Sequence, residues 1–368
     1  MKYEFIARVT KAFGINRQFY KILLRLRGKS KDVEQSNLDW EHYLLSVCPD
    51  EGRTCLCEKN SMIVQGTKRF NVEIVIPVYN TELYVEECIE SVLNQKTHYS
   101  FRVVIVNDGS TDNSPEIINR YASDKRVRII HQENRGLSGS RNRALDSLEG
   151  DYVTFLDSDD RLPEDAIEKL LNKAYEDDYD IVGGGYARFG GRRRMRVLPS
   201  QGRLYGFPWG KVYKSRLWEN VHFPEKYWFE DTICAMIIHD IAIKKTSIPE
   251  VIYWYRVNRK GICSSSKGKT KVIDSLWVTK RLLKDREMLG LTFDGRFLDQ
   301  LVTQCKVNTF RIYSLGDELA NIANFEASKE WYFRYCQGYR CHAPSNKPIE
   351  EAILRNDYRQ FLLACLFL

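Results

Sequence analysis

No CxxC pair occurs among the ten cysteines, which are scattered at positions 48, 55, 57, 88, 234, 263, 305, 336, 341 and 365. That scatter argues against a zinc ribbon or a thioredoxin-type motif. Cys55-Leu56-Cys57 and Cys341-His342 are read as partnerless thiols in a reducing compartment rather than as metal fragments. No apolar stretch approaches the ~20 residues needed to cross a bilayer, and the longest uninterrupted run, Phe361 to Leu368, is far shorter. The N-terminus has no continuous apolar core of signal-peptide length, so a cytoplasmic location is expected. No internal repeat is found. No RNP, KH or zinc-finger pattern appears, which sets nucleic acid aside as a partner. No GxGxxG follows the first strand and no GxxxxGK[ST] occurs, so dinucleotide and P-loop readings lack their phosphate loops.

What is present is a chain of 368 residues, long enough for at least two packed units. Hydrophobic content of 43% and charged content of 29% are those of an ordinary folded protein. The net charge of +7 suits nucleic acid, an anionic membrane face or a phosphate-rich substrate, and charge alone does not choose. Four segments are expected: an N-terminal extension and connector over 1–70, a nucleotide-binding half over 71–182, an acceptor-binding half over 183–270 and a helical region over 271–368.

Residues 1–31 carry nine basic side chains against one acid, Glu4. Phe5, Val9 and Phe13 share one helical face; Phe19, Ile22, Leu23 and Leu26 share another before Gly28. Two short basic amphipathic helices follow from this spacing. They suit either adsorption to anionic lipid, as a peripheral attachment at the inner face of the membrane, or docking on the protein's own surface. One further short helix is expected near Trp40–Val47.

From residue 71 the rhythm changes. Val72–Ile76 is a β-branched run ended by Pro77 and reads as a buried strand. Phe101–Val106, Val127–Ile130, Tyr152–Leu156 and Asp180–Val182 read as further strands. Helices from Leu83, Ser114, Leu137 and Pro163 alternate with them. This alternation predicts a parallel sheet covered on both faces. Residues 183–270 read as irregular, and apolar residues return at helical spacing from Lys271, suggesting a tail for self-association into a homo-oligomer or for acceptor placement.

In such a sheet, ligands sit beyond the carboxyl ends of the strands. Polar residues fall there: Pro77-Val78-Tyr79-Asn80, Asn107-Asp108-Gly109-Ser110 and Asp157-Ser158-Asp159. One Asp or Asn after a strand is ordinarily a turn or a cap; three clusters on one rim point to a site. Asp157 and Asp159 at i, i+2 repel each other without a cation. Mg²⁺ or Mn²⁺ is often held by one or two carboxylates plus substrate phosphates. Tyr253 to Ser266 reads either as a lid closing on a diphosphate or as a solvated loop, and Arg192 to Arg196 as a solvated hairpin tip in preference to a contact for an anionic acceptor.

The stretch VEIVIPVYN…VVIVNDGSTDNS…NRGLSGSRNRAL…YVTFLDSDD resembles family 2 glycosyltransferases with the GT-A fold, strongly over residues 72–182. It weakens through Trp209–Tyr213 and Phe229-Glu230-Asp231, which still resemble the family's acceptor-side motifs. The resemblance implies an α/β GT-A doubly wound sheet with an N-terminal extension and a helical C-terminal region. It implies a metal-dependent inverting transfer from a nucleotide-diphosphate donor, a UDP-sugar, to a glycan or lipid-linked acceptor in surface-polysaccharide synthesis. By that resemblance Pro77, Tyr79 and Asn80 border the nucleoside and Asp108 accepts from the uracil N–H. Asn134 and Arg141 hold the nucleotide, Asp157 and Ser158 lie by the ribose, Asp159 binds the metal and Asp231 is the general base. For Arg141 the alternative is a surface ion pair; for Asp231 it is a helix N-cap. A catalytically inactive GT-A scaffold and a basic nucleic-acid binder are the competing readings of the whole.

Overall fold

The computed structural model describes the chain except for residues 26–37, 58–67, 192–194, 200–201, 259–260, 262–264 and part of the first fourteen. β-branched runs form eight strands: β1 Phe70–Val78, β2 Phe101–Asp108, β3 Val127–Gln132, β4 Gly150–Phe155, β5 Ile181–Phe189, β6 Met195–Val197, β7 Lys211–Lys214 and β8 Lys245–Arg256. The order is β3-β2-β1-β4-β7-β5-β6, with β8 along the other edge of β5. The pairs β3–β2, β2–β1 and β1–β4 are parallel. β7 runs antiparallel to both β4 and β5, and β6 antiparallel to β5. The expectation of a wholly parallel sheet is therefore corrected to a mixed one. Residues 183–270, expected to be irregular, carry most of β5 and all of β6, β7 and β8. β7 and β8 pair with β5 over long sequence separations, so local spacing did not mark them.

β1 passes through Pro77 instead of stopping there. Its ladder to β4 has already ended at Val75 opposite Phe155, so the N–H that proline lacks is not missed. Along β1, Val72, Ile74, Ile76 and Val78 face one core and Val75 faces the other, the period of two that a strand imposes.

The first core is closed by helices α3 Val85–Leu93, α4 Ser114–Asn119 and α6 Ala166–Glu176. The second is closed by α5 Gly136–Leu145 and by the C-terminal helices α7 Asp274–Met288, α8 Gly295–Ile312, α9 Glu318–Tyr335, α10 Lys347–Leu354 and α11 Tyr358–Phe367. Asp294, Asp317 and Asp357 each accept a backbone N–H at the start of α8, α9 and α11. Ile273, Leu276, Trp277, Leu282, Leu283, Leu298, Leu301 and Val302 are all buried in this core. The apolar stripe expected to serve self-association is thus spent inside the molecule.

The N-terminal part docks on the same unit. Helix α1 Asn16–Arg25 packs Phe19 against Phe367, with ring centroids 6.1 Å apart, and Asn16 donates to the Phe367 carbonyl at 2.8 Å. Tyr20 is buried, Leu23 packs against the core, Arg17 and Lys21 are exposed, and α2 Trp40–Val47 stacks Trp40 edge-on to Trp331. Of the two uses weighed for the apolar face, docking accounts for Phe19 and Leu23, whereas Ile22 stays exposed. Phe5, Val9, Phe13, Leu26 and Gly28 lie outside the described residues. Among the described residues, no helix is long and apolar enough to cross a membrane.

If docking holds α1, Phe19→Ala loses a half-buried ring and should cost about 1–2 kcal/mol, below the 3–5 of a fully buried Phe. Urea unfolding checks this; an unchanged midpoint would mean that the helix is not held.

Candidate active site

The loops after β1, β2 and β4 meet on one rim of the sheet. Asn80 sits at φ 52°, a left-handed position that Asn tolerates better than most side chains. Its Oδ1 accepts the Thr111 N–H at 2.8 Å, and its own N–H donates to Ser110 Oγ at 3.1 Å. Beside it Pro77 is buried and Tyr79 half exposed.

Asp108, at the end of β2, is buried, and its Oδ1 accepts from Gln132 Nε2 at 2.7 Å and from the Arg135 N–H at 2.9 Å. It therefore ties β2 to the loop before α5. Gly109 follows at φ 70°, and a β-carbon there would stand 3.0 Å from the Asn134 nitrogen. Asn134 is exposed and accepts the Gly136 N–H through Oδ1 at 3.2 Å, turning the chain into α5.

Arg141 on α5 is 2% exposed. One terminal nitrogen donates to Asp157 Oδ1 at 2.8 Å and the other to Glu230 Oε1 at 2.6 Å, while Nε has no partner. The guanidinium lies 5.0 Å from the Phe223 ring centroid. The two carboxylates raise its pKa against the opposing effect of burial, so it stays charged. The expectation had its planar fork open to a phosphate or base. In the structure both ends of the fork are engaged by carboxylates, and Arg141 is a strut joining the loop after β4 to the segment of Glu230 and Asp231.

Behind Asp157, Ser158 is buried and accepts from Thr81 Oγ1 at 3.1 Å. Asp159 is partly exposed; its Oδ2 accepts from Asn258 at 2.9 Å and its carbonyl from Arg256 Nε at 2.7 Å. Burial, with the charge of Asp157, raises the Asp159 pKa, the sign of crowded carboxylates. Asp160 is buried and accepts from the Tyr253 hydroxyl at 2.7 Å and the Arg256 N–H at 2.6 Å. Tyr253 to Arg256, the start of the expected lid, thus belong to β8 and brace the loop from behind. Arg259, Lys260 and Ile262 to Ser264 lie outside the described residues, as does the expected hairpin tip at Arg192 to Arg194. Sequence reasoning missed the bracing role of Asp160 and Tyr253, because it is the backbone bridge between Arg161 and Trp254 that brings residue 253 to residue 160.

Across the rim, Asp231 opens a helical turn through its carbonyl, which accepts the Cys234 N–H at 3.0 Å. The turn runs into a π-helix over Cys234–Ile238, a form frequent at functional sites. Burial raises the Asp231 pKa; Arg311 and Arg141 oppose this and Asp157 adds to it. Burial raises Glu230 as well, with Arg141 drawing it down. The buried Lys211 donates to the carbonyls of Phe207 and Trp209 at 2.6 and 3.2 Å, and burial depresses its pKa to about 8. From sequence Lys211 was noted only as part of Trp209–Tyr213, without a role, and no local signal marks Arg311.

The model of the family "Glycosyl transferase family 2" matches residues 73–248. Among curated proteins, glycosyltransferase GlyA of Streptococcus pneumoniae is 34% identical over 52% of this chain and 31% of its own. Glycosyltransferase GlyG of the same organism is 28% identical over 72% of this chain and 94% of its own. Putative glycosyltransferase EpsH of Bacillus subtilis is 32% identical over 54% and 64%. The chain therefore spans about a third of the first, nearly all of the second and just under two thirds of the third. Among solved structures, S. aureus TarS 1–349 superposes with a TM-score of 0.59 at 18% identity, covering 80% of this chain and 90% of TarS 1–349, a likeness of fold. The fold is the GT-A fold, and the segment that runs from β1 into β8, residues 73–248, matches glycosyl transferase family 2.

Proposed function

We propose that this protein transfers a sugar from a UDP-sugar to a hydroxyl of a glycan, lipid-linked or polymeric acceptor of the cell surface, by a metal-dependent inverting displacement. One observation carries the reading: a single buried guanidinium, Arg141, holds Asp157 at one end and Glu230, next to Asp231, at the other. Donor-side and acceptor-side carboxylates are thereby fixed about one charge. The uridine donor is supported by TarS, whose crystal structure holds UDP-GlcNAc.

Asp157 and Asp159 fit a hard divalent ion, since they are oxygen donors two residues apart in a crowded anionic loop. Among the described residues no group of three or more His, Cys, Asp or Glu side chains could hold an ion; two carboxylates would hold one together with oxygens of the donor's diphosphate. Mn²⁺ or Mg²⁺, when bound at Asp159 beside Asp157, supplies positive charge for the departing nucleoside diphosphate. Pro77, Tyr79 and Asn80 border the nucleoside, and Asp108, through its bond to the Arg135 N–H, shapes the base pocket next to Asn134. Ser158 keeps the loop seated through Thr81.

Asp231 is the general base. It takes the proton of the acceptor hydroxyl as that oxygen bonds to the anomeric carbon, while the bond from that carbon to the diphosphate oxygen breaks. One displacement inverts the centre. Arg141 acts through the carboxylates it holds, not by touching phosphate.

Two outcomes are expected. UDP should bind more weakly after EDTA, and Asp159→Asn should lose both donor affinity and turnover, with partial rescue by excess Mn²⁺; calorimetry showing UDP affinity indifferent to EDTA would remove the metal.

Asp231→Asn should keep donor affinity while kcat falls by about 10²–10⁴, the usual worth of a general base. Because burial lifts the Asp231 pKa, the rate should rise with pH through a limb above the ordinary carboxylate range, and the variant should lack that limb. Near-normal turnover by a folded Asp231→Asn protein would place the base elsewhere.

A further inference from the structure

The turn that delivers Asp231 is held by groups far away in the chain. Lys226 and Phe229 have φ of 68° and 67°, within the left-handed region that bulky side chains rarely adopt. Two such residues in one short turn persist only where the surroundings over-determine them. Those surroundings come from the C-terminal helices. Asp274, at the start of α7, accepts the Trp228 N–H at 2.8 Å. Lys271 donates to the Lys226 carbonyl at 3.2 Å and pairs with Asp274 at 3.1 Å. Arg311, on α8, lays its guanidinium 3.6 Å from the centroid of the Phe229 ring. It is anchored by a bond to Ser275 Oγ at 2.8 Å, and Ser275 in turn donates to Asn308 at 2.6 Å.

We infer that Arg311 is a positioning residue for Asp231: pressed on the Phe229 ring two residues upstream, it fixes the turn and presents a positive charge to the carboxylate. The inference rests on Asp231 being the base, and it gives the helical C-terminal region a part in the reaction. Arg311 lies outside the segment 73–248 that the family model matches. A cation over an aromatic face is favourable, and more so when partly withdrawn from water. Phe229 is buried and Arg311 partly so.

The charges around Asp231 agree with this placement. Burial pushes its pKa up. Arg311 is the first group to draw it down, Arg141 the second, and Asp157 pushes it up. Glu230, Lys211 and Cys234 each feel the charge of Asp231 in return. Removing the Arg311 charge leaves burial and Asp157 less opposed, so the carboxylate should hold its proton to higher pH. A base that stays protonated is idle.

The test reads Asp231 directly. Full-length protein labelled with [¹³C]aspartate is titrated by NMR, the Asp231 carboxyl being assigned by its loss in Asp231→Asn. In Arg311→Met the midpoint should rise by roughly one pH unit, the usual minimum effect of one near opposite charge. UDP released from UDP-N-acetylglucosamine by water should fall several-fold at neutral pH, with UDP affinity by calorimetry unchanged. Arg311→Lys returns the charge without the planar stack and should restore most of the midpoint but only part of the rate. An unmoved midpoint in Arg311→Met overturns the inference even if the rate falls, since lost packing alone does not shift that titration. Should Arg311→Met fail to fold, Arg311→Gln carries the same two outcomes. If Asp231→Asn releases UDP at the wild-type rate, the base reading fails, and the NMR midpoint still decides whether Arg311 addresses Asp231.

Discussion

The structure turns on a charge that has no water. Arg141 is sealed between the sheet and the segment of Glu230, and two carboxylates from separate loops keep it there. A buried guanidinium stripped of one partner is strongly destabilising, on the order of 3–5 kcal/mol. Neither loop can therefore drift without the other. Residues near 157 and near 230 are 73 positions apart in sequence, and the guanidinium makes them one rigid set. Around this strut the secondary supports are arranged by hydrogen bonds: Asn142 of α5 holds the Phe223 backbone at both its N–H and its carbonyl, and Ser138 holds the Pro224 carbonyl.

Much of the segment 71–182 was legible because its chemistry is local. Val72 to Ile76, Phe101 to Val106 and Tyr152 to Leu156 are short β-branched or aromatic runs, each closed by an Asn or Asp at its polar end. Parallel strands with short connections force those ends onto one rim, so the clusters at Asn80, Asp108 and Asp157 could be placed together without coordinates. The helical tail was legible too, from apolar periodicity after Lys271. What periodicity does not carry is the partner of each face. Leu276 and Trp277 read equally well as an exposed seam or as a core, and the structure puts them in the core.

Residues 183–270 were less legible for a different reason. β8 joins β5 through a register that shifts around Gly183 and Gly185, so no run of alternating residues announces it. Tyr253 and Arg256 looked like members of a mobile basic loop, yet both are fastened to the carboxylate loop at Asp160 and Asp159. Arg141 was found as a site residue but its role was not. Sequence names a cation near the site; only packing shows that both ends of its fork are taken. Arg311 had no local signal at all, since its importance comes from lying over Phe229.

The course of β8 has a consequence for any attempt to move this catalytic unit between proteins. The family segment ends at residue 248, four residues into a strand that continues to Arg256. A chimaera joined at that boundary would leave the far half of β5 without its edge partner and Asp160 without the Tyr253 hydroxyl and the Arg256 N–H. Exchange at Gly316, the left-handed hinge after α8, would keep the strand whole but would part α8 from α9, which pack together in the second core. The part of the molecule that can be exchanged as a module is therefore larger than the family segment.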